Sequence, residues 1–261
     1  MEPGKPAGLA ERDPGDHLGL HDKESGLERL AGLIPRIGLL HDRLAAEAKR
    51  SVLLVLQGLD ASGKDGTVRH VLTGVSPQAC RIVSFKQPTL TELAHDYLWR
   101  VHAMCPERGE LGIFNRSHYE DLVTVRVRDL APEHVWKRRP KQVREFERAL
   151  SEEGTAIVKV FLHVSADEQR KRLEERLANP EKAWKFSRED LVDRARRSDY
   201  LDAYEEVITE TSTDWAPWHV VPADHNWVRN LAVAELLAHT LDKLDPQLPA
   251  ADPALAELQI L

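Results

Sequence analysis

The sequence has little of the chemistry that marks secreted or membrane proteins. Its 261 residues include only two cysteines, Cys80 and Cys105, without metal-ligand spacing. Two cysteines exclude a disulfide scaffold and suit a reducing cytosol. No apolar run approaches the ~20 residues that a helix needs to span a membrane, and residues 1–8 lack the apolar core of a signal peptide. We therefore expect a cytoplasmic protein with no membrane partner.

Positive charge is unevenly distributed along the chain. The net charge of −7 discourages a polyanion such as nucleic acid as a partner. Residues 137–200, however, carry 17 Lys and Arg against 13 Asp and Glu, whereas the remainder carries 19 against 30. A positive segment in an acidic chain suggests that this segment meets anions, although a solvated helix face with mixed charges explains the counts equally well.

The strongest local pattern lies around residue 60. An apolar run at 52–56 leads into Gly58-Leu-Asp-Ala-Ser-Gly-Lys-Asp65, which fits the phosphate-cradling pattern G-x-x-x-x-G-K. Gly58 and Gly63 let successive backbone N–H groups point at one anion. The N-terminus of the following helix adds unpaired donors and its positive dipole end. A strand before and a helix after the loop favour a true phosphate loop over a chance match.

One group that this motif normally contains is missing. The Ser or Thr that usually follows the lysine as a magnesium ligand is replaced by Asp65, and the nearest hydroxyl belongs to Thr67. This argues against a standard ATPase or GTPase, and another residue must hold the metal. Asp60, inside the loop, is a hard oxygen ligand suited to magnesium. The alternative is an aspartate that only caps the loop through backbone N–H groups.

Strands and helices alternate along the chain. Apolar runs predict further strands at 80–85, 112–114, 155–163 and 218–221, and helical spacing predicts single helices at 91–104 and 132–153. This order predicts an α/β fold with a five-stranded parallel sheet and helices on both faces. We expect a flexible arm at 1–25, one domain at 26–245 with a helical lid at about 166–211, and a loose tail at 246–261.

Four stretches together resemble the second family of polyphosphate kinases, the P-loop polyphosphate:nucleotide phosphotransferases. The four are Gly58-Leu-Asp-Ala-Ser-Gly-Lys-Asp-Gly66, Ser84-Phe-Lys-Gln-Pro88, Phe114-Asn-Arg-Ser-His-Tyr-Glu-Asp121 and Glu175-Arg-Leu-Ala-Asn-Pro-Glu-Lys-Ala-Trp-Lys-Phe186. Their order and spacing match from about residue 27 to residue 244. The resemblance implies a P-loop kinase fold of three layers (α/β/α), Mg²⁺ or Mn²⁺ as cofactor, and a homo-oligomer. It also implies inorganic polyphosphate and adenine nucleotides, with guanine nucleotides as further candidates, as partners.

The resemblance and the chemistry of the side chains together predict the site. Catalytic roles fall to Asp60, Lys64 and Arg116, and metal ligation to Asp60 and Glu120. The residues predicted to bind phosphate or nucleotide are Gly58, Ala61, Ser62, Gly63, Lys64, Asp65, Gly66, Thr67, Lys86, Glu120, Arg126, Arg172, Arg176 and Lys182. Alternatives remain open: a structural salt bridge for Arg116, a plain surface position for Glu120, and pairing with Glu168 and its neighbours for the lid cations.

The sequence thus predicts a polyphosphate-dependent nucleotide kinase that phosphorylates ADP and AMP reversibly. Many relatives carry Asp at the position of Asn115, and the stretch from Asn115 to Asp121 resembles the subgroup that accepts nucleoside monophosphates as well as diphosphates. One rival is an ATP-dependent kinase of a nucleotide or other small molecule. Another is a non-catalytic nucleotide-binding P-loop module, against which Asp65 counts because a switch needs the missing hydroxyl.

Overall fold

Strands and helices alternate through residues 1–251, the part of the chain described by this computed structural model. The strands are β1 (Ser51–Gln57), β2 (Cys80–Ser84), β3 (Leu111–Asn115), β4 (Thr155–His163) and β5 (Trp218–Pro222). The helices are α1 (Lys23–Glu47), α2 (Lys64–Val71), α3 (Leu90–Leu93), α4 (Trp99–His102), α5 (Glu120–Val127), α6 (Glu133–Trp136), α7 (Arg139–Glu152), α8 (Ala166–Ala178), α9 (Arg188–Ala195), α10 (Arg197–Thr211) and α11 (Asn226–Leu244).

The five strands found within residues 1–251 form one parallel sheet in the order β2-β3-β1-β4-β5. β1 lies in the centre, and all seven of its residues are buried, as expected for an uninterrupted apolar run in a parallel sheet. The chain leaves β1 towards β2 and β3 on one side and later reaches β4 and β5 on the other. The crevice beyond the carboxyl end of β1 is therefore a topological switch point, where open α/β sheets bind ligands.

Two groups of helices cover the sheet. α1 and α2 pack on α11, which contacts β4 and β5, whereas α5, α7 and α10 pack together and α7 contacts β4. This arrangement confirms the predicted α/β fold with a five-stranded parallel sheet. Within residues 1–251, no helix is both long enough and apolar enough to cross a membrane.

Two predicted helices are each broken into two, so the prediction of single helices was wrong. Residues 91–104 form the one-turn helices α3 and α4, because the Asp96 carboxylate accepts the N–H of Leu98 at 3.0 Å and turns the chain between them. Residues 132–153 divide into α6 and α7. Pro140, near the start of α7, has no N–H to donate to the carbonyl of Trp136, at which α6 ends.

The region predicted as a lid has two structural parts. α8 and α9 carry few buried residues, whereas α10 buries Tyr200, Ala203, Tyr204, Val207, Ile208 and Thr211. α10 also packs against α5 and α7 and is therefore part of the core. The proposed range of the lid remains a prediction.

The N-terminal segment, for which the sequence predicts a flexible arm, lies against α10 and β5. The N–H groups of Gly8 and Leu9 donate to the carboxylate of Glu205 at 2.9 and 2.8 Å, and Leu9 is buried. The amino group of Met1 donates to the carbonyl of Trp218 at 2.6 Å. Residues 252–261 of the predicted tail lie outside the described residues, and the domain bounds stay predictions.

A buried ionic network supports the segment that follows β3. The Lys159 ammonium donates to the Glu147 carboxylate at 2.6 Å, to the Tyr119 hydroxyl at 2.9 Å and to the Thr211 carbonyl at 2.8 Å. His118 lies 3.2 Å from the same carboxylate. Burial alone would raise the pKa of Glu147, but Lys159 and His118 outweigh burial and lower that pKa. The network joins β4 and α7 to residues 118–119.

Candidate active site

The loop between β1 and α2 adopts a conformation that suits an anion. Gly58, Ala61 and Gly63 have φ angles of 149°, 60° and 102°. A Cβ atom on Gly63 would lie 1.8 Å from a guanidinium nitrogen of Arg229, so a larger residue would have to displace Arg229 and adopt a φ angle that favours glycine. The loop then enters α2 at Lys64, which brings the unpaired N–H groups and positive dipole end of that helix to the crevice.

Lys64 is the buried cation of the loop. Its ammonium donates to the carbonyls of Gly58 and Leu59 at 2.7 and 3.1 Å, and the residue is only 8 % exposed. Burial, and then the nearby charge of Arg116, lower its pKa to about 8, against the opposing effect of Asp60 and Glu120. Lys64 is therefore a poorly solvated cation that gains from an approaching anion.

Arg116 lies between two carboxylates. Its guanidinium contacts the Asp60 carboxylate on one side and Glu120, at 3.4 Å, on the other. Its backbone has a φ of 62°, an uncommon conformation for arginine, and its N–H donates to the carbonyl of Leu56 in β1 at 3.0 Å. Glu120 and Asp60 raise the pKa of Arg116 against the opposing effect of burial. For Asp60, burial would raise the pKa, but Arg116 and Lys64 lower it below its usual value. Arg116 and Asp60 are thus both held in their charged forms.

Glu120, at the start of α5, is held by several donors. Its carboxylate accepts Gln57 Nε2 at 3.1 Å and the Thr124 hydroxyl at 2.7 Å in addition to Arg116. Gln57, the last residue of β1, also donates to the hydroxyl of Tyr204 in α10 at 3.3 Å. Asn115 at the end of β3 donates to the Asp65 carboxylate at 2.8 Å. The carboxyl ends of β1 and β3 therefore present one continuous polar cluster next to the loop.

A comparison with known protein families identifies the family of the chain that carries this cluster. The sequence model of the family described as Polyphosphate kinase 2 matches residues 21–249. The chain belongs to the polyphosphate kinase 2 family. As a member of this family it is a polyphosphate-dependent nucleotide kinase. The resemblance that the four sequence stretches carry is confirmed.

Relatives and solved structures agree with this polyphosphate kinase 2 assignment. An "AMP/ADP-polyphosphate phosphotransferase" from Meiothermus ruber is 53 % identical over 238 residues, which cover 91 % of this chain and 89 % of the relative. An "ADP-polyphosphate phosphotransferase" from Rhodopseudomonas palustris is 45 % identical over 244 residues, covering 89 % and 84 %. The crystal structure of Polyphosphate Kinase 2 from Arthrobacter aurescens TC1 superposes with a TM-score of 0.92 at 42 % identity, covering 96 % of this chain and 92 % of that one.

The predicted site residues of this polyphosphate kinase 2 member fall into three groups. Asp60, Lys64, Arg116 and Glu120 lie together at the crevice. The other predicted loop and helix residues surround them: Gly58, Ala61, Ser62, Gly63, Asp65, Gly66 and Thr67. The predicted cations outside the loop differ from one another in their surroundings.

The predicted cations outside the phosphate loop have different contacts. Arg176 in α8 contacts Asp190 at 3.4 Å and is near enough to contribute to the lowered pKa of Asp60. Lys86 and Lys182 have exposed side chains. Arg126 pairs with Glu206 and lies over the Trp136 ring at 4.9 Å, so it is engaged away from the cluster. A phosphate-binding role for each of these residues stays a prediction.

Arg172 has contacts that the sequence did not indicate. Its guanidinium donates to four backbone carbonyls: Ala61 and Ser62 in the loop at 3.1 and 3.2 Å, and Ala223 and Asp224 after β5 at 2.7 and 2.8 Å. Its Nε donates to Glu168 at 2.8 Å, which is the pairing left open as an alternative. These contacts favour a role in holding the loop over the predicted contact with polyphosphate.

Sequence reasoning missed three residues of the site. Gln57, Gln169 and Arg229 are all at most 2 % exposed and all bond to the loop or its neighbours. The available signal was a polar side chain next to apolar residues: Gln57 ends the apolar run of β1, and Arg229, together with Asn230, interrupts an apolar stretch of α11. Buried polar side chains of this kind require partners: Gln169 and Arg229 find theirs in the phosphate loop, and Gln57 finds its partners in Glu120 and Tyr204.

Proposed function

We propose that this polyphosphate kinase 2 member transfers the terminal phosphoryl group of inorganic polyphosphate to ADP, and to AMP, and also catalyses the reverse reaction. The observation that carries the proposal is the position of Arg116, clamped between Asp60 and Glu120 beside the buried Lys64. Phosphoryl transfer needs positioned positive charge around the moving group and little covalent work by the protein. The names of the Meiothermus and Rhodopseudomonas relatives support the choice of acceptors.

The cluster assigns a task to each side chain in the transfer. The terminal phosphate oxygen of ADP attacks the end phosphorus of polyphosphate in line, and the bond to the next bridging oxygen breaks, so that the donor leaves one unit shorter. The attacking oxygen is already an anion, and no general base is required. Lys64 and Arg116 neutralise the equatorial oxygens, and the loop N–H groups orient them. Asp60 holds Arg116 in place.

The residues present fit a divalent cation, Mg²⁺ or Mn²⁺. Magnesium typically takes one or two carboxylates and completes its coordination with water and substrate phosphates. Asp60 is kept ionised, and the Asp60 and Glu120 carboxylates both touch the same guanidinium, so both lie at the crevice. Within residues 1–251 no group of three acidic, His or Cys side chains forms a metal cage, which agrees with a cation carried largely by substrate. The metal would supply charge neutralisation between donor and acceptor oxygens.

The donor chain calls for cations outside the loop. Arg176 and Lys182, in and after α8, are our candidates for contact with successive phosphates, and closure of α9 and of the segment between α8 and α9 would exclude water so that transfer is favoured over hydrolysis. Use of guanine nucleotides, a homo-oligomeric state and a cytoplasmic location remain predictions. The rival ATP-dependent kinase would need a shaped pocket for a second small molecule.

The test is formation of ATP from ADP with inorganic polyphosphate as the donor, magnesium present and no other nucleotide. A luminescent ATP assay should show turnover by the wild-type protein. Lys64→Ala, with an unchanged circular dichroism spectrum, should lose about two orders of magnitude or more in turnover rate, since removal of one charged group that contacts the transferred phosphate costs about 3 kcal/mol or more. ATP formation no greater than that of Lys64→Ala, at every polyphosphate length, would reject the proposal in favour of the ATP-dependent kinase.

A further inference from the structure

Three successive carbonyls of the phosphate loop accept hydrogen bonds from side chains that lie outside it. Gln169 Nε2 donates to the carbonyl of residue 60 at 3.0 Å. Arg172 Nη1 donates to those of residues 61 and 62 at 3.1 and 3.2 Å, and Arg229 Nη1 donates to that of residue 62 at 3.3 Å. Two of the donors lie on α8 and the third on α11, so the loop is held from two separate elements.

Each of these donors is itself fixed by further bonds. The Gln169 carbonyl oxygen accepts two guanidinium groups, from Arg194 and Arg197, both at 3.1 Å, which orients its amide nitrogen towards the loop. Arg229 donates to the side-chain oxygens of Asn226 at 2.7 Å and Asn230 at 3.0 Å.

Arg172 is fixed in the same way by Glu168 and by the two carbonyls that follow β5. A side chain with several simultaneous bonds loses little further freedom when it binds one more acceptor. Together the three form a rigid support, which we call the carbonyl clamp: Gln169, Arg172 and Arg229.

The clamp has a direct geometric consequence for the loop. In a planar trans peptide the N–H points opposite to the C=O of the same unit. Carbonyls 60 and 62, when held by the clamp, therefore turn the N–H groups of Ala61 and Gly63 to the opposite side. The N–H of Ser62 is instead used inside the loop, since it donates to the Leu59 carbonyl at 3.1 Å.

The loop conformation needs this support because it is intrinsically unfavourable. Ala61 has a φ of 60°, a left-handed conformation that its Cβ makes unfavourable. A strained loop of this kind persists only where its surroundings over-determine it. The two guanidinium groups also add positive charge behind the loop, and burial together with Arg172 lowers the pKa of Arg229 to about 10.

We propose that Gln169, Arg172 and Arg229 are positioning residues that hold the phosphate loop with the amides of Ala61 and Gly63 turned towards the transferred phosphate. The inference rests on the proposed function for the identity of that phosphate. It assigns Arg172 to the side of the loop away from substrate, in place of a direct contact with the polyphosphate chain.

The experiment compares Arg172→Met, Arg172→Lys and Gln169→Leu with the control Arg170→Met. Arg170 is on the same helix, is 60 % exposed and pairs only with Asp167 among the described residues. Arg172→Lys keeps the charge but cannot reach four carbonyls, whereas Gln169→Leu keeps the volume and removes no charge. For each variant, kcat and the KM for polyphosphate are measured over a series of salt concentrations. Amide hydrogen exchange of residues 58–63 is measured with and without inorganic tripolyphosphate.

We expect kcat to fall at least tenfold in all three clamp variants and exchange of the loop to rise at least fivefold, while Arg170→Met matches wild type. The slope of log KM against log salt should stay that of wild type, because no phosphate contact is lost. Arg172→Lys should lose as much activity as Arg172→Met, since the clamp depends on the geometry of the hydrogen bonds and not on the charge of residue 172.

Three results would overturn the inference. A smaller salt slope in Arg172→Met would show that the guanidinium of Arg172 contacts polyphosphate. Full activity of Arg172→Lys would show that the positive charge alone suffices. Unchanged hydrogen exchange of the loop would show that the carbonyl clamp does not determine the loop conformation. Gln169→Leu keeps the test decisive if Arg172→Met does not fold. A wild-type protein without activity would reject the proposed function, while loop exchange and tripolyphosphate binding would still decide the inference.

Discussion

The buried charge of Lys64 should destabilise the folded protein. The pKa of Lys64 is lowered from 10.5 to about 8, mainly by burial, so its charged form is disfavoured in the folded protein. At 1.36 kcal/mol per pKa unit, keeping it charged at pH 7.5 costs about 3 kcal/mol. Lys64→Met removes that cost and leaves the Gly58 and Leu59 carbonyls without this donor, which costs about 1 kcal/mol. We expect the variant to be inactive and more stable by about 1–2 kcal/mol.

The pH dependence separates this explanation from a general packing effect. Between pH 8 and pH 10.5 the unfolded chain holds a proton on Lys64 that the folded chain has lost, so wild-type stability rises with pH relative to Lys64→Met. The advantage of the variant should shrink by about 2 kcal/mol between pH 7.5 and pH 9.5. Urea unfolding followed by tryptophan fluorescence at the two pH values measures both quantities. A variant less stable than wild type at pH 7.5, or an advantage that does not change with pH, would refute the reasoning.

Three other predictions follow from the contacts of the site. Glu120→Asn should impair phosphorylation of AMP more than that of ADP, because Arg116 loses one of its two carboxylates; equal losses in initial rate on the two acceptors would reject an acceptor-selecting role. Arg176→Ala should raise the KM for long polyphosphate and reduce its salt dependence, since the side chain is one-quarter exposed near Asp60; a slope equal to that of the exposed control Arg170→Ala would contradict the assignment. Lys159→Met should destabilise the fold by about 3–5 kcal/mol, because it leaves the Glu147 carboxylate buried without its cation; urea unfolding measures the loss, with exposed Lys171→Met as control, and a loss below about 1 kcal/mol would show that Glu147 is satisfied by its other donors.

The parts of the fold that the sequence predicts well are those that one physical pattern determines. β1 is a continuous apolar run between its end residues and β4 is one interrupted only by Lys159, and such runs have few alternatives to a buried parallel strand. The phosphate loop is equally local, since two glycines and a lysine at fixed spacing determine it. The breaks between α3 and α4 and between α6 and α7 depend on a single hydrogen bond or a missing backbone N–H. The periodicity of apolar residues does not reveal such breaks.

The site could be predicted only as a set of residue types. The sequence identifies Asp60, Lys64, Arg116 and Glu120 as chemically suitable, and the structure adds that Arg116 bridges the two carboxylates. That bridge depends on a positive φ at Arg116, a conformation that the identity of the residue disfavours.

The roles of the arginines on α8 could not be read from spacing. Arg172 and Arg176 are four residues apart and share a helix face, yet Arg172 donates to backbone carbonyls while Arg176 faces Asp190. The difference arises because only Arg172 lies where the loop and the segment after β5 meet. Arg229, 57 positions further along the chain, completes this arrangement, and no local pattern links the two.

Phosphorus NMR of a single reaction mixture tests whether the phosphoryl group passes directly from polyphosphate to the nucleotide. The mixture contains the protein, ADP, inorganic polyphosphate and magnesium, and the resonances of every phosphorus species are followed together. Direct transfer predicts that the γ-phosphate signal of ATP grows in step with the loss of polyphosphate units, without matching growth of inorganic phosphate. Release of inorganic phosphate in place of ATP, or consumption of polyphosphate at the same rate without nucleotide, would contradict it.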